Sequence, residues 1–221
     1  MTEFFIHKLD KNNFFYNNIV TLAYTQFGIN ELFARGFFAE SLRKYPDYEA
    51  RNGYFHKLGF PNDVIDQLNR TRTFTPKIFV PGFTTKDKAK AFKMDVGASA
   101  AHFLHDTRGL SDTNIELTHM TIIMAWEKIV YLELDDSPVL QFFRHIRNAA
   151  AHNGKFHFAP KVLDKGSKLL KPAKWKDFEI RGEMQGSVLI VRDKDDQQGF
   201  WDQGDLVEFL LDFELAYPEI K

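Results

Sequence analysis

The sequence predicts a mainly α protein: an antiparallel helical bundle with a small β-hairpin and an appended C-terminal helix, in a single domain over residues 1–221. Three observations carry that expectation. Apolar residues recur at helical spacing through much of 13–156, and several of those stretches begin or end on capping and stopping residues. Clear strand-like runs are short and lie together near 178–191. The helical core is therefore expected at about 13–156, with a basic loop, the hairpin and the final helix over 157–221.

Phe14, Phe15, Ile19, Leu22, Ala23 and Phe27 make residues 13–27 an amphipathic helix. Gly28 is expected to break or bend it. Asn30 can then cap a second helix over 31–44, with Leu32, Phe33, Phe37, Phe38 and Leu42 facing inward and Tyr45-Pro46-Asp47 as its stop. Residues 48–60 read as an irregular or short helical connection, and Pro61-Asn62-Asp63 opens a brief helix to about Arg70. The stretch 71–85 has two Pro, one Gly and no helical period, so it reads as an ordered loop with a short strand at 77–80. Helical composition resumes over 86–105.

Thr113 and Glu116 fit a capping box, which starts a helix running to about Leu134 with Ile115, Ile122, Ile123, Trp126, Ile129 and Val130 as its buried stripe. A tight connection, 133–138, leads into the next helix. Two long helices joined by so short a turn must pack antiparallel, which makes this helical hairpin the centre of the fold. Residues 156–175 show no clear period. Residues 178–182 and 187–191 read as the two strands of a hairpin, with Gly186 in its turn. Asp202 and Asp205 can cap a last helix with Leu206, Phe209, Leu210 and Phe213 on its inner face, closed by Pro218.

Composition narrows the function. An apolar content of 44% with 27% charged residues is that of a globular domain. The absence of cysteine excludes disulfide scaffolds, thiol catalysis and Cys-based zinc sites. The start of the chain, MTEFFIHKLDKNN, has no basic region followed by an apolar core, and no stretch reaches transmembrane length, so a cytoplasmic protein without a membrane partner is expected. The net charge of −1 hides an uneven distribution. Residues 144–176 hold Arg144, Arg147 and seven Lys against Asp164 alone, whereas 177–221 hold twelve acidic residues against four basic ones. A basic block of that kind suits a phosphate track, and equally a solvated lysine-rich loop.

The most informative stretch is 137–156, SPVLQFFRHIRNAAAHNGKF. Ser137 is a good N-cap and Pro138 suits the first helical position, while Asn153-Gly154 tolerates the left-handed turn that ends a helix near His152. At about 100° per residue, Asn148 and His152 share a face, whereas Arg147 and His152 diverge by roughly 140°. Convergence between two copies of the helix solves that geometry. Ala149, Ala150 and Ala151 allow close approach, and a two-fold axis would bring two Arg and two His around one cleft.

Arg147-Asn148-Ala149-Ala150-Ala151-His152 resembles the R-polar-x3-H form of the RX4–6H motif of HEPN domains, the helical superfamily named for higher eukaryotes and prokaryotes nucleotide-binding. The resemblance is carried by about 86–156 and is extended to the whole chain as an expectation. It implies a four- or five-helix bundle that dimerises through the motif helix, 137–153, and metal-independent RNA cleavage, with Arg147 and His152 as the catalytic pair and Asn148 as the polar residue after the Arg. It also implies a toxin–antitoxin, anti-phage or RNA-processing setting, with an antitoxin or other regulatory protein as partner. Some HEPN toxins carry a modifiable Tyr two residues after the His; here Gly154 stands there, so that control is not expected.

The chemistry expected of such a site needs no metal and no cofactor. A base removes the 2′-hydroxyl proton, the charge of the in-line phosphorane is stabilised, and an acid protonates the leaving 5′-oxygen. A histidine titrating near pH 6.5 suits either transfer. Arg147 would hold the scissile phosphate, and Asn148 would orient the imidazole or bind the phosphate. Arg144, His145, Lys155 and His157 are the expected RNA contacts. Two alternatives stand beside this reading. One is a catalytically silent HEPN-type module that binds nucleic acid, nucleotide or a protein, with Arg147 merely paired to Glu127 or Glu133 and His152 merely capping its helix. The other is a metalloenzyme around His102, His105 and Asp106, for which a third ligand at diagnostic spacing is missing.

Overall fold

The computed structural model describes residues 9–57, 61–63, 65–66, 83–84, 91–92, 107–190 and 199–220. Its regular elements are α1 (Tyr16–Lys44), α2 (Tyr48–Lys57), β1 (Phe83–Thr84), β2 (Ala91–Phe92), α3 (Thr107–Ile129), α4 (Pro138–Ala151), β3 (Ala173–Trp175), β4 (Phe178–Ile180) and α5 (Gln203–Ala216), with short 3-10 turns between some of them. The protein is mainly helical, and its described residues include two small antiparallel strand pairs. The chain falls into two compact units, Met1–Gln26 with Ser111–Lys221, and Phe27–Leu110.

The first unit is built on α4. Ser137 is extended at φ −70° and ψ 160°, its hydroxyl accepts from the Leu140 amide at 3.3 Å, and Pro138 begins the helix, as the local sequence requires. The helix is amphipathic to an unusual degree, and Leu140, Phe142, Phe143, Ile146, Ala149 and Ala150 are all buried. Its two central aromatics point to different neighbours. Phe143 meets Trp126 of α3 at 5.4 Å, Phe15 at 6.3 Å, and Phe209 and Phe213 of α5 at 5.0 and 5.1 Å. Phe142 meets Trp175 of β3 at 6.0 Å and Trp201 at 5.7 Å. Each ring has no exposed surface, and burying a side chain of that size stabilises the fold by about 1.5–3 kcal/mol.

α3 and α4 run antiparallel: Trp126 lies against Phe143, Glu127 pairs with Arg147, and His119 packs on Gly154. The helical hairpin expected from the sequence is therefore present, with different ends. α3 begins at Thr107, so Thr113 lies inside the helix and the capping box is not its start. It stops at Ile129, where Leu132 N turns back to Ile129 O at 2.9 Å, and Val130 is 42% exposed, outside the buried stripe. The α3–α4 connection is tied from the other end of the unit. The Tyr217 hydroxyl donates to Asp135 at 2.7 Å and contacts Ser137 Oγ.

The last helix is not an appendage. Leu206, Phe209, Leu210 and Phe213 are buried against α4, and Phe213 reaches Phe15 at 6.1 Å. Its start matches the cap expected at Asp202, whose amide donates to the Asp205 carboxylate at 2.8 Å. The hairpin, by contrast, lies one segment earlier than expected. β3 pairs with β4 in the register Ala173↔Ile180 and Trp175↔Phe178, with Lys176 at φ 50° in the two-residue turn. Among the described residues, 187–190 do not pair with 178–182. Val188 instead bridges Lys155, and Ile190 bridges Trp201. Stacking of Trp175 on Phe178 at 5.5 Å and 7° fixes the observed register, a cross-strand term that period alone does not reveal.

The second unit differs from expectation at its helices. α1 continues through Gly28 and Asn30 as one 29-residue helix. A helical glycine costs about 1 kcal/mol, which weakens a helix without ending it. Residues 48–57 form α2 because Asp47 caps it, accepting from Ala50 N at 2.9 Å. Arg51 is fully buried, and its guanidinium donates to the carbonyls of Tyr45 and Pro46 at 3.1 and 3.3 Å. β1 and β2 pair Phe83↔Phe92 and Thr84↔Ala91, so Ala91 and Phe92 are strand and not part of a helix over 86–105. The inward faces of Leu32, Phe33, Phe37 and Phe38, the end of the helix at Arg70, the strand at 77–80 and the trio His102, His105 and Asp106 lie outside the described residues. Among the described residues no helix is long and apolar enough to cross a membrane, and no group of His, Asp and Glu is placed to hold a metal ion.

Candidate functional site

The candidate site grows out of the C-terminal half of α4 and the chain that follows it. His152 caps the helix, its amide bonding the carbonyls of Asn148 and Ala149 at 3.0 Å each. Asn153 and Gly154 then take φ 57° and 69°, two left-handed residues that turn the chain sharply back. Gly154 is obligatory for a second reason. A Cβ there would stand 2.6 Å from the His119 ring, so the position has no room for a side chain.

The returning chain forms one wall of a groove of about 470 Å³, within the range of small-ligand sites. Arg144 and Asn148 of α4, its capping residue His152, and His157 and Lys161 of the returning chain line it. Ala159, Val162 and Leu170 give it an apolar surface, and Lys171 stands at its edge. The His152 and His157 rings are 5.0 Å apart. Acid is sparse here: Asp136 contacts both Lys171 Nζ and the buried Gln141 amide. The Arg144 guanidinium donates to Gln141 Oε1 at 3.5 Å. The groove is therefore basic and faces solvent through His152 and His157, which are both exposed.

His145 belongs to the groove wall but not to its charge. It is 6% exposed and packs edge-on against Phe158 at 5.3 Å. Burial, helped by the neighbouring Arg144, pushes its pKa down to about 4, so the ring is neutral at physiological pH. It can contact a ligand as a neutral imidazole, not as a cation gripping phosphate.

Arg147 lies elsewhere. Its guanidinium is 3.2 Å from Glu127 of α3 and donates to Asn148 Oδ1 at 3.3 Å, while its Nε is buried and has no hydrogen-bond partner. It does not line the groove. The angular divergence expected between Arg147 and His152 is thus present within one chain, as is the pairing to Glu127. Lys155 is exposed on the return segment, bridged through its backbone to Val188, and does not line the groove either.

Of the residues singled out from the sequence, the fold gathers Arg144, His145, Asn148, His152 and His157 around one groove and leaves Arg147 and Lys155 outside it. Gln141, Lys161, Lys171 and the apolar wall were not singled out. The lysine-rich block over 144–176 held the signal for the two lysines, but not their positions. No family model, curated protein or solved structure matches this sequence.

Proposed function

We propose that the protein is a metal-independent endoribonuclease of HEPN type whose active site is completed by a second copy of the chain. The observation that carries this reading is the basic groove at the end of α4, where His152 faces His157 at 5.0 Å beside Arg144, Lys161 and Lys171. A phosphodiester backbone suits that charge, and the apolar wall suits a base. Neutral His152 takes the 2′-hydroxyl proton as the 2′-oxygen attacks phosphorus. The P–O5′ bond breaks, the leaving oxygen takes a proton from water, and a 2′,3′-cyclic phosphate and a 5′-hydroxyl result. Arg147 supplies charge to the phosphorane from across the interface. A toxin or anti-phage nuclease restrained by a partner protein is the setting this reading entails.

One observation favours a second reading. Arg147 is occupied by Glu127 and Asn148, as in a silent module that binds nucleic acid, nucleotide or a protein without cutting. Purified protein incubated with mixed cellular RNA in excess EDTA separates the two. Cleavage that persists in chelator and is lost in Arg147→Ala and His152→Ala supports the nuclease. RNA binding by a dimer that never cuts supports the silent module.

A further inference from the structure

Gln185, far from the motif in sequence, controls a ring at the groove. It is the first central residue of a type II turn: Ser187 N donates to Met184 O at 2.9 Å, Gln185 has φ −48° and ψ 119°, and Gly186 has φ 82°, which calls for glycine. Backbone bonds pin that turn beside His157. Gly186 N donates to Phe156 O at 2.8 Å, and Phe156 N donates to Ser187 O at 3.0 Å. The Gln185 carboxamide then meets both neighbours. Its oxygen accepts from Phe158 N at 2.8 Å, and its nitrogen lies 3.3 Å from His157 Nδ1.

The first of those bonds decides the second. A backbone N–H only donates, so the amide oxygen must face Phe158 and the NH2 must face the imidazole. An NH2 also only donates, so His157 Nδ1 is the acceptor and the ring proton resides on Nε2, a tautomer assigned from the network. Both histidine rings line the groove.

We propose that His157 is a fixed hydrogen-bond donor for a phosphate group in this groove, offering Nε2–H to a non-bridging oxygen of a phosphodiester, with Gln185 as its positioning residue. No proton leaves His157. It holds the phosphate beside His152, which is left to carry the proton transfer. The inference rests on the ribonuclease reading for the choice of ribonucleotide substrate, and deepens it by giving His157, one of the expected RNA contacts, a fixed donor role and Gln185 as its positioning residue.

Full-length protein labelled with 15N-histidine reports the tautomer through two-bond 1H–15N correlations, with His157 identified by the signals lost in His157→Ala. The expected result is the Nε2–H tautomer in the wild type and mixed tautomers in Gln185→Leu. Binding is read with the dinucleotide UpA carrying 2′-deoxyuridine, which cannot be cut by 2′-oxygen attack. His157→Ala should bind it about tenfold more weakly, with His157→Gln, which restores a donor, recovering part of the loss. A proton on Nδ1 in the wild type, no binding of the probe, or equal binding by wild type and His157→Ala overturns the proposal. Cleavage of RNA in a parallel assay keeps the two readings apart. Protein that binds the probe through His157 but never cuts RNA discards the nuclease alone, and protein that cuts RNA but binds the probe equally without His157 discards this inference alone.

Discussion

Acidification should destabilise this protein through His145, by an amount that its surroundings fix. The ring is 6% exposed, and its pKa is pushed down to about 4 by burial and then by Arg144. An unfolded chain takes up the same proton near pH 6.5. Between those two values the unfolded state binds more protons than the folded one, so stability is lost as pH falls through that window and is fully present above it. A difference of about 2.5 units at 1.36 kcal/mol each sets the full loss at about 3 kcal/mol, of which about 2.5 kcal/mol has been lost by pH 4.5. Denaturant midpoints at pH 7, 6, 5 and 4.5, compared between wild type and His145→Gln, isolate this group from the other titrating residues. The variant should show a shallower loss, and the two curves should separate below pH 6.5. Parallel curves would refute the argument, because they would mean that the groove wall hydrates the imidazolium.

Phe143→Ala should cost about 3–5 kcal/mol, since its buried ring touches Phe15, Trp126, Phe209 and Phe213 and no single neighbour can fill the cavity. Thermal or denaturant unfolding reads that loss directly. Glu127→Ala should change stability by less than about 1 kcal/mol, because the pair it forms with Arg147 is partly exposed, at 32% and 49%. Under the nuclease reading it frees Arg147, and RNA cleavage should rise by up to about fivefold, the rate equivalent of that energy. A fall in cleavage would mean that Glu127 orients the arginine instead of withholding it.

What could be read from the sequence follows how local each signal is. The ends of α4 depend on Ser137, Pro138, Asn153 and Gly154, each acting within one turn of the chain, and the structure has them where the residues demand. The inner face of α5 is legible for the same reason: Leu206, Phe209, Leu210 and Phe213 keep helical period. That α5 packs on α4 and is no appendage is a long-range fact, set by contacts such as Phe143 with Phe209, and periodicity is silent on partners. The run 187–191 reads as a strand by composition, yet its edge is taken by Lys155 and Trp201 while Trp175 stacks on Phe178. At the candidate site, helical geometry alone separates Arg147 from His152. The position of His157 depends on the left-handed turn at 153–154, and the orientation of its ring depends on Gln185, 28 residues further on.

The composite site is tested most directly by mixing the two inactive variants. Neither Arg147→Ala nor His152→Ala should cut RNA alone. When they are co-expressed so that mixed dimers form, the first still contributes its histidine and the second its arginine to a shared cleft, and cleavage in EDTA should return. Mixed dimers that form and stay inactive would contradict a site shared between two copies of α4.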